Sequence, residues 1–307
     1  MPLSPHSRGL LAAAGAFTLW GLFPLYWRQL QAVPALEIMA HRLIWCCLFV
    51  GGWLFISQGR YWWRQALSQP RTRRNLLLSS LFIGANWWLY IWSVNNGHIV
   101  EASLGYFINP IVNIMLGTLI LGERLNRVQW LAVGLAAIGV TWLTIDYGRP
   151  PWIALCLASS FAIYGLLRKV TPVGSVTGLG IEASMLAPIA LVTICALWSQ
   201  GTLEFGQVAQ WQSGLLILGG GVTAIPLILF AYGAQRINYS TVGLLQYIGP
   251  TLQLLIGVAI YGESFSRSRL LGFALIWTAL ALYAADGVHR FRKRPRPAST
   301  APLAADQ

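Results

Sequence analysis

Ten long runs of apolar residues follow one another along the chain, separated by short segments that carry most of the charged residues. Each run is roughly 16–22 residues long, close to the ~20 that a helix needs to cross the hydrocarbon of a bilayer. Strands of a membrane barrel are about half as long and alternate in polarity, which these runs do not. The pattern predicts ten transmembrane helices, at Leu10–Tyr26, Leu36–Ile56, Leu76–Ser93, Val100–Leu121, Val128–Ile145, Trp152–Leu167, Leu179–Trp198, Ser213–Tyr232, Ser240–Tyr261 and Leu270–Ala285.

The composition agrees with an integral membrane protein. Hydrophobic residues make up 56% of the chain and charged residues only 10%, against about 25% charged in soluble domains.

The first apolar run continues through Phe17, Trp20 and Leu25, where a signal-peptide cleavage site would need small residues, so we expect an uncleaved helix. The four cysteines fall within predicted spans without CxxC spacing, so neither a disulfide nor a metal site is expected.

The basic residues are divided unequally between the two sides of the predicted bundle. Of the 21 Lys and Arg residues, 16 fall on the side of the N-terminus, four fall on the opposite side and Arg42 lies inside a span. Because loops rich in Lys and Arg stay in the cytoplasm, both termini are predicted to be cytoplasmic. The net charge of +12 is therefore assigned to topology and to contact with lipid headgroups, and no nucleic-acid partner is expected.

Part of the sequence recurs after 140 residues. Leu104–Glu123 and Leu244–Glu263 align without a gap and are identical at seven of 20 positions, including Pro110 with Pro250. A weaker echo relates Glu37 to Glu182. Since five spans is an odd number, the second copy would enter the membrane from the opposite face. We predict a first repeat over residues 1–146, an inverted second repeat over 147–288 and a disordered basic cytoplasmic tail over 289–307.

Four short motifs give the chain a resemblance to a known family. FPLYW at 23–27, EIMAHR at 37–42, EASLGYFINP at 101–110 and QYIGPT at 246–251 resemble the RarD proteins, a branch of the EamA-type transporters in the drug/metabolite transporter superfamily. The likeness spans roughly residues 8–287. It implies an all-α integral membrane protein of two inverted five-helix repeats, which acts in the bacterial inner membrane as a permease that exports or exchanges small metabolites or drugs, without a cofactor.

Three ionisable residues lie close together near the start of the second span. Glu37 and His41 are four residues apart and share one face of the helix, whereas Arg42 is turned about 100° from His41. Charged groups inside a membrane are costly and often functional, so we predict a substrate or proton site in which Glu37 or His41 titrates and Arg42 holds an anionic group. The alternative is a structural ion pair, or an interfacial position at the helix end.

The two copies of the recurring segment each carry a proline with polar neighbours. Asn109, Pro110 and Asn113 in span four correspond to Gly249, Pro250 and Gln253 in span nine. A proline inside a helix removes a backbone hydrogen bond and kinks the helix. Paired kinks in inverted repeats predict a central cavity with movable walls, and the competing interpretation is that the amides only join helices.

Aromatic and polar residues at several positions predict how the cavity is lined. Such a cavity would suit amphipathic, aromatic or cationic cargo. The predicted lining residues are Trp20, Tyr26, Asn86, Trp87, Tyr90, Tyr106, Tyr164, Gln246 and Tyr247.

Four further carboxylates lie near the ends of spans. Glu101 and Glu182 are expected to be solvated there, and the alternative is that either one meets Arg42 or a basic residue of the inner side. Glu123 and Glu263 each follow a glycine that is expected to end a helix, and a gate on each side of the membrane is the alternative.

A secondary transporter explains the inverted repeat, the paired prolines and the buried polar groups together. The sequence has no HExxH motif or other catalytic set, so we do not expect an enzyme. It also lacks a nucleotide-binding GxxxxGK[ST] run, so uphill transport would use an ion or solute gradient. Proton exchange is expected, with facilitated diffusion as one alternative and a non-transporting sensor or assembly factor as another. Spans five and ten are expected to be peripheral, and to mediate either repeat packing or a homodimer.

Overall fold

The computed structural model describes residues 3–147, 150–262 and 267–293, and every regular element in these ranges is helical. A 3₁₀ turn at Arg28–Leu30 extends the first helix. Ten of these segments are long and apolar enough to cross a membrane, as predicted. The helices are α1 Pro5–Trp27, α2 Ala35–Gln58, α3 Arg64–Ser68, α4 Pro70–Asn95, α5 Ile99–Leu119, α6 Arg127–Tyr147, α7 Trp152–Val170, α8 Ser175–Ser199, α9 Gln210–Ala234, α10 Tyr239–Gln246, α11 Ile248–Ala259 and α12 Arg267–Lys293.

Several helices extend beyond their apolar runs. Helix α4 begins at Pro70, so three arginines of the expected loop, at 71, 73 and 74, lie in its first turns. Helix α12 continues to Lys293, so the tail predicted from residue 289 starts in helix, and residues 294–307 lie outside the described part. Hydropathy marks the stretch that suits hydrocarbon, whereas the backbone hydrogen bonds of a helix continue into the interface.

The connections alternate between two faces of the bundle. Helix α1 begins on the face that we call the terminal face, and the start of α2 lies on the opposite, distal face. Because ten is an even number of crossings, α12 ends on the terminal face as well.

The two halves of the chain interlock. Helix α1 packs against α9 and α11, α2 against α8 and α9, α4 against α7 and α8, α5 against α7 and α10, and α6 against α12. Each of these contacts joins a helix of the first half to one of the second, and exchanging the halves reproduces the same set of pairs. The structure therefore has the predicted fold of two inverted five-helix repeats.

Helices α6 and α12 form a pair at the edge of the bundle. They approach closely at Gly139, where an added Cβ would lie 2.8 Å from the carbonyl oxygen of Gly272. Small residues let membrane helices pack backbone to backbone in this way. These two helices pack one repeat against the other, and their use in a homodimer stays a prediction.

Candidate functional site

Aromatic rings surround Arg42, which reaches across to the second repeat. The Arg42 Nε–H donates to the Thr223 hydroxyl oxygen on α9 at 2.8 Å. The guanidinium carbon lies 4.7 Å from the ring centroid of Trp27 and 5.8 Å from that of Trp87. Thr223 and Trp27 were not predicted, because neither residue type in an apolar run signals a polar partner across the bundle.

Three predicted tyrosines complete the surroundings of Arg42. Tyr26 donates from its hydroxyl to the Leu215 carbonyl oxygen at 2.5 Å, and the rings of Tyr90 and Tyr106 lie 6.3 Å apart. All three lie near Arg42. Tyr106 is 42% exposed, so protein atoms leave part of its surface uncovered. We call this cluster of side chains the arginine chamber, defined by Phe23, Tyr26, Trp27, Arg42, Trp87, Tyr90, Tyr106 and Thr223.

The bundle is tightly packed on the terminal side of this chamber. The rings of Trp20 and Tyr164, both predicted to line a cavity, pack instead with Phe161 and Phe230. The cavity that Tyr164 lines together with Trp87 and Thr223 measures only about 10 Å³, room for one water molecule at most. Little open space is therefore left around Tyr164 in this conformation.

Glu37 and His41 lie apart from the arginine chamber and fasten the distal face. The Glu37 carboxylate accepts backbone N–H groups of Glu204 at 2.9 Å and Phe205 at 2.8 Å, in the loop between α8 and α9. His41 Nε2 lies 3.8 Å from Glu37 Oε1, and the Phe205 ring packs 4.6 Å from the His41 ring. We call Glu37, His41 and Phe205 the distal latch. The structure thus divides the predicted trio, since Arg42 bonds to Thr223 and not to this pair.

Glu182 forms a corresponding contact towards the terminal face. It is buried, which contradicts the expectation that it is solvated at a helix end. Its carboxylate accepts the Ser79 hydroxyl of α4 at 2.5 Å and lies 3.6 Å from Arg168 Nε. Tyr164 donates to it at 3.5 Å. We call Glu182, Ser79 and Arg168 the terminal latch, and its ion pair agrees with the alternative that Glu182 meets a basic residue of the inner side.

Two more carboxylates cap helices across the repeat boundary. Glu101 is 4% exposed and accepts the Ile153 N–H at the start of α7 at 2.8 Å, so it is not solvated as expected. Glu123 accepts the N–H groups of Tyr239 at 2.6 Å and Ser240 at 2.9 Å, at the start of α10. The Ser240 hydroxyl also donates to it, at 2.6 Å. Glu263, the predicted counterpart of Glu123, lies outside the described residues.

We expect Glu123→Ala to destabilise the protein by about 1–2 kcal/mol, because the first N–H groups of α10 would lose an anionic cap. The check is thermal melting of the purified protein in detergent, with Glu204→Ala as the control, since Glu204 contributes only its backbone N–H to the contacts above. An unchanged melting temperature for Glu123→Ala would contradict the capping role.

The predicted amides join helices. Asn86 donates to the Leu157 carbonyl at 2.8 Å and Asn109 to the Ala158 carbonyl at 2.8 Å, both on α7. The remaining amides and Tyr247 bond similarly: Asn113 to Gln246 at 2.7 Å, Gln253 to the Trp20 carbonyl at 3.2 Å and Tyr247 to the Phe107 carbonyl at 3.2 Å. These contacts agree with the competing interpretation of helix association.

The two prolines act differently. The span that contains Pro250 is divided into α10 and α11 at Tyr247, whereas α5 continues without a break through Pro110. A Cβ added at Gly243 would lie 2.6 Å from the Pro110 carbonyl oxygen, so α10 packs closely on α5 there. The expected symmetry of the kinks is therefore seen only as a break in the second repeat.

Comparisons with known proteins agree on one kind of protein. The model of the EamA-like transporter family matches residues 7–145 and 150–285. The chain is 46% identical over 286 residues to an uncharacterized transporter of Bacillus subtilis, YojE, with 90% of this chain and 93% of that protein covered. It is 43% identical over 286 residues to the protein RarD of Escherichia coli, with 93% and 97% covered. One solved crystal structure matches with a TM-score of 0.69 at 19% identity, over 92% of this chain and 99% of that one, which supports the fold alone.

Proposed function

The chain belongs to the EamA-like transporter family, in its RarD branch, and from this membership we propose that it carries a small organic solute across the bacterial cytoplasmic membrane by alternating access. In a carrier of this kind the solute site opens to one side of the membrane at a time, because the two repeats rock against each other.

The observation that carries the proposal is the pair of latches. Glu37 and Glu182, 145 positions apart, occupy corresponding places in the inverted repeats and act towards opposite faces. Each holds the other repeat: Glu37 binds backbone of the second half, and Glu182 binds Ser79 of the first. The solute pathway would open to one face of the bundle, which we call the mouth on that face, when only the latch on that face breaks. The arginine chamber lies between the two latches.

Sidedness and coupling follow as parts of the same proposal. The excess of basic residues assigns the terminal face to the cytoplasm. Export in exchange for protons is the proposed direction, with Glu37 and His41 as the proton-binding groups.

Cysteine crosslinks across each mouth test alternating access. In a background without the native cysteines, one variant carries His41→Cys with Phe205→Cys and another carries Ser80→Cys with Met185→Cys, whose side chains meet at 3.4 Å between α4 and α8. The assay loads vesicles with a protein-free extract of bacterial cytosol and follows solute loss by mass spectrometry, with and without a pH gradient. We expect oxidation to stop the flux of either variant and reduction to restore it.

The matched control joins α6 and α12 at the edge of the bundle, where the proposal keeps the two repeats packed while the helices around the arginine chamber rock. Asn126 and Asp286 meet at 2.6 Å beside the α6–α12 pair, so a cysteine pair there should leave flux unchanged when oxidised. Flux that persists with either mouth crosslinked would contradict alternating access. The absence of flux for every solute in the reduced protein would contradict transport itself and favour a sensor or assembly role.

A further inference from the structure

We infer that the arginine chamber binds an organic anion, with Arg42 holding the carboxylate or phosphate group of the solute and the aromatic rings holding a flat apolar body. This inference rests on the proposed function, since it names the chemical class of solute that the carrier takes.

Arg42 has no acidic partner within the part of the chain that the structure describes. Among the described residues Arg168 forms an ion pair with Glu182, and Glu37 lies beside the His41 imidazole. Both carboxylates are further engaged by hydrogen bonds in the two latches. The one hydrogen-bond acceptor that Arg42 has among the described residues is the neutral Thr223 hydroxyl. A guanidinium at membrane depth without a counter-ion is costly, and its usual role there is to meet a mobile anion.

The geometry leaves the anion-binding edge of the guanidinium available. Thr223 takes the Nε–H, so both terminal nitrogens remain for a bidentate contact with a carboxylate or phosphate. Among the described residues neither terminal nitrogen makes a hydrogen bond, and Arg42 is only partly buried. The rings of Trp27 and Trp87 hold the guanidinium in place by cation–π interactions.

The walls of the chamber suit an apolar, flat body. Trp27, Trp87 and Phe23 present ring surface within 6.0 Å of the guanidinium. Without Arg42, an aromatic cage of this kind would favour a cationic solute. Arg42 already occupies that position, so a cationic solute would meet a like charge at short range, and the chamber selects against the cationic cargo that the aromatic residues alone predicted.

The experiment uses the extract-loaded vesicles described above with Arg42→Gln, Arg42→Lys and wild-type protein. We expect the solutes released by the wild type to be anions with an aromatic or apolar body. Their release should fall about 10- to 100-fold in Arg42→Gln, the loss for one charge-assisted contact, and less in Arg42→Lys, which keeps the charge without the planar fork. Arg28→Gln is the matched control, because it removes the same charge from an exposed position on the distal face.

A second measurement needs no variant, so it stands even if Arg42→Gln folds poorly. Phenylacetate, phenylacetamide and phenethylammonium share one ring and differ in charge, and each is added as a competitor of the wild-type flux. We expect phenylacetate to inhibit at a concentration at least about tenfold lower than the other two require.

The outcomes separate this inference from the function on which it rests. Release of neutral or cationic solutes, equal release by Arg42→Gln and wild type, or equal inhibition by the three competitors would overturn the anion site and leave the carrier intact. No release of any solute by the wild type would overturn both.

Discussion

Replacing Glu182 with alanine is expected to destabilise the protein by about 3–5 kcal/mol, more than any other substitution considered for this chain. The change leaves Arg168, which is fully buried, without a counter-charge, and a guanidinium stays protonated in proteins. Arg168 Nε and Nη1 already lack a hydrogen-bond acceptor, so the ion pair with Glu182 is the main compensation for their burial. The apparent melting temperature in detergent should fall by roughly 5–15 °C.

A double variant separates the ion pair from simple loss of packing. Arg168→Met with Glu182→Leu removes both charges and keeps similar volume, so it should recover most of the stability lost in Glu182→Ala. Ser79→Ala is the smaller control, because it removes one hydrogen bond to Glu182 and leaves the charges paired. A Glu182→Ala protein as stable as the wild type, or a double variant no better than the single one, would show that the pair does not stabilise the fold.

Replacing Gly220 with alanine is expected to cost about 3 kcal/mol, the upper end for overpacking, and to reduce transport as well. A Cβ there would lie closer to the Trp45 backbone than real contacts allow, and 2.6 Å from the Cys46 nitrogen. Backbone of α2 cannot move aside as the end of a side chain could. Helices α2 and α9 would have to separate, and Arg42 on α2 would move away from Thr223 on α9.

The neighbouring glycine supplies a matched control. An added Cβ at Gly221 meets nothing closer than 3.9 Å, the Phe49 ring, which is an ordinary contact. Gly221→Ala should therefore leave the melting temperature and the flux near their wild-type values, or raise stability slightly through better helix propensity. Equal losses in the two variants would mean that general helix effects, and not the α2–α9 contact, explain the result.

The spans and their inverted arrangement could be predicted from the sequence because both are visible as patterns along the linear chain. Apolar length is a local property, and the recurrence around Pro110 and Pro250 needs only an alignment of the chain with itself. The latches are contacts between distant parts of the chain, and no pattern along the sequence shows which groups meet. Counting basic residues by loop placed Arg168 in a solvated connection, whereas its partner Glu182 comes 14 positions later and draws it into the core.

The candidate site could be predicted in part for the same reason. Arg42 was identified because a charge inside an apolar run is conspicuous, and its aromatic neighbours because of their residue type. The hydrogen-bond partner of each polar group depends on how the helices pack. Glu37, for example, accepts a backbone N–H from the loop that follows Ser199 and begins 163 positions further along the chain. The amides turn to carbonyls of facing helices in the same way.

The interlocking of the repeats sets an order of events for biogenesis. The first five membrane-spanning helices, α1, α2, α4, α5 and α6, are synthesised before α7. Glu101 and Glu123 therefore enter the membrane before the backbone N–H groups that they cap have been synthesised. A half-made chain is then a loose, lipid-exposed intermediate that completes its assembly only when α7 to α10 insert between its helices.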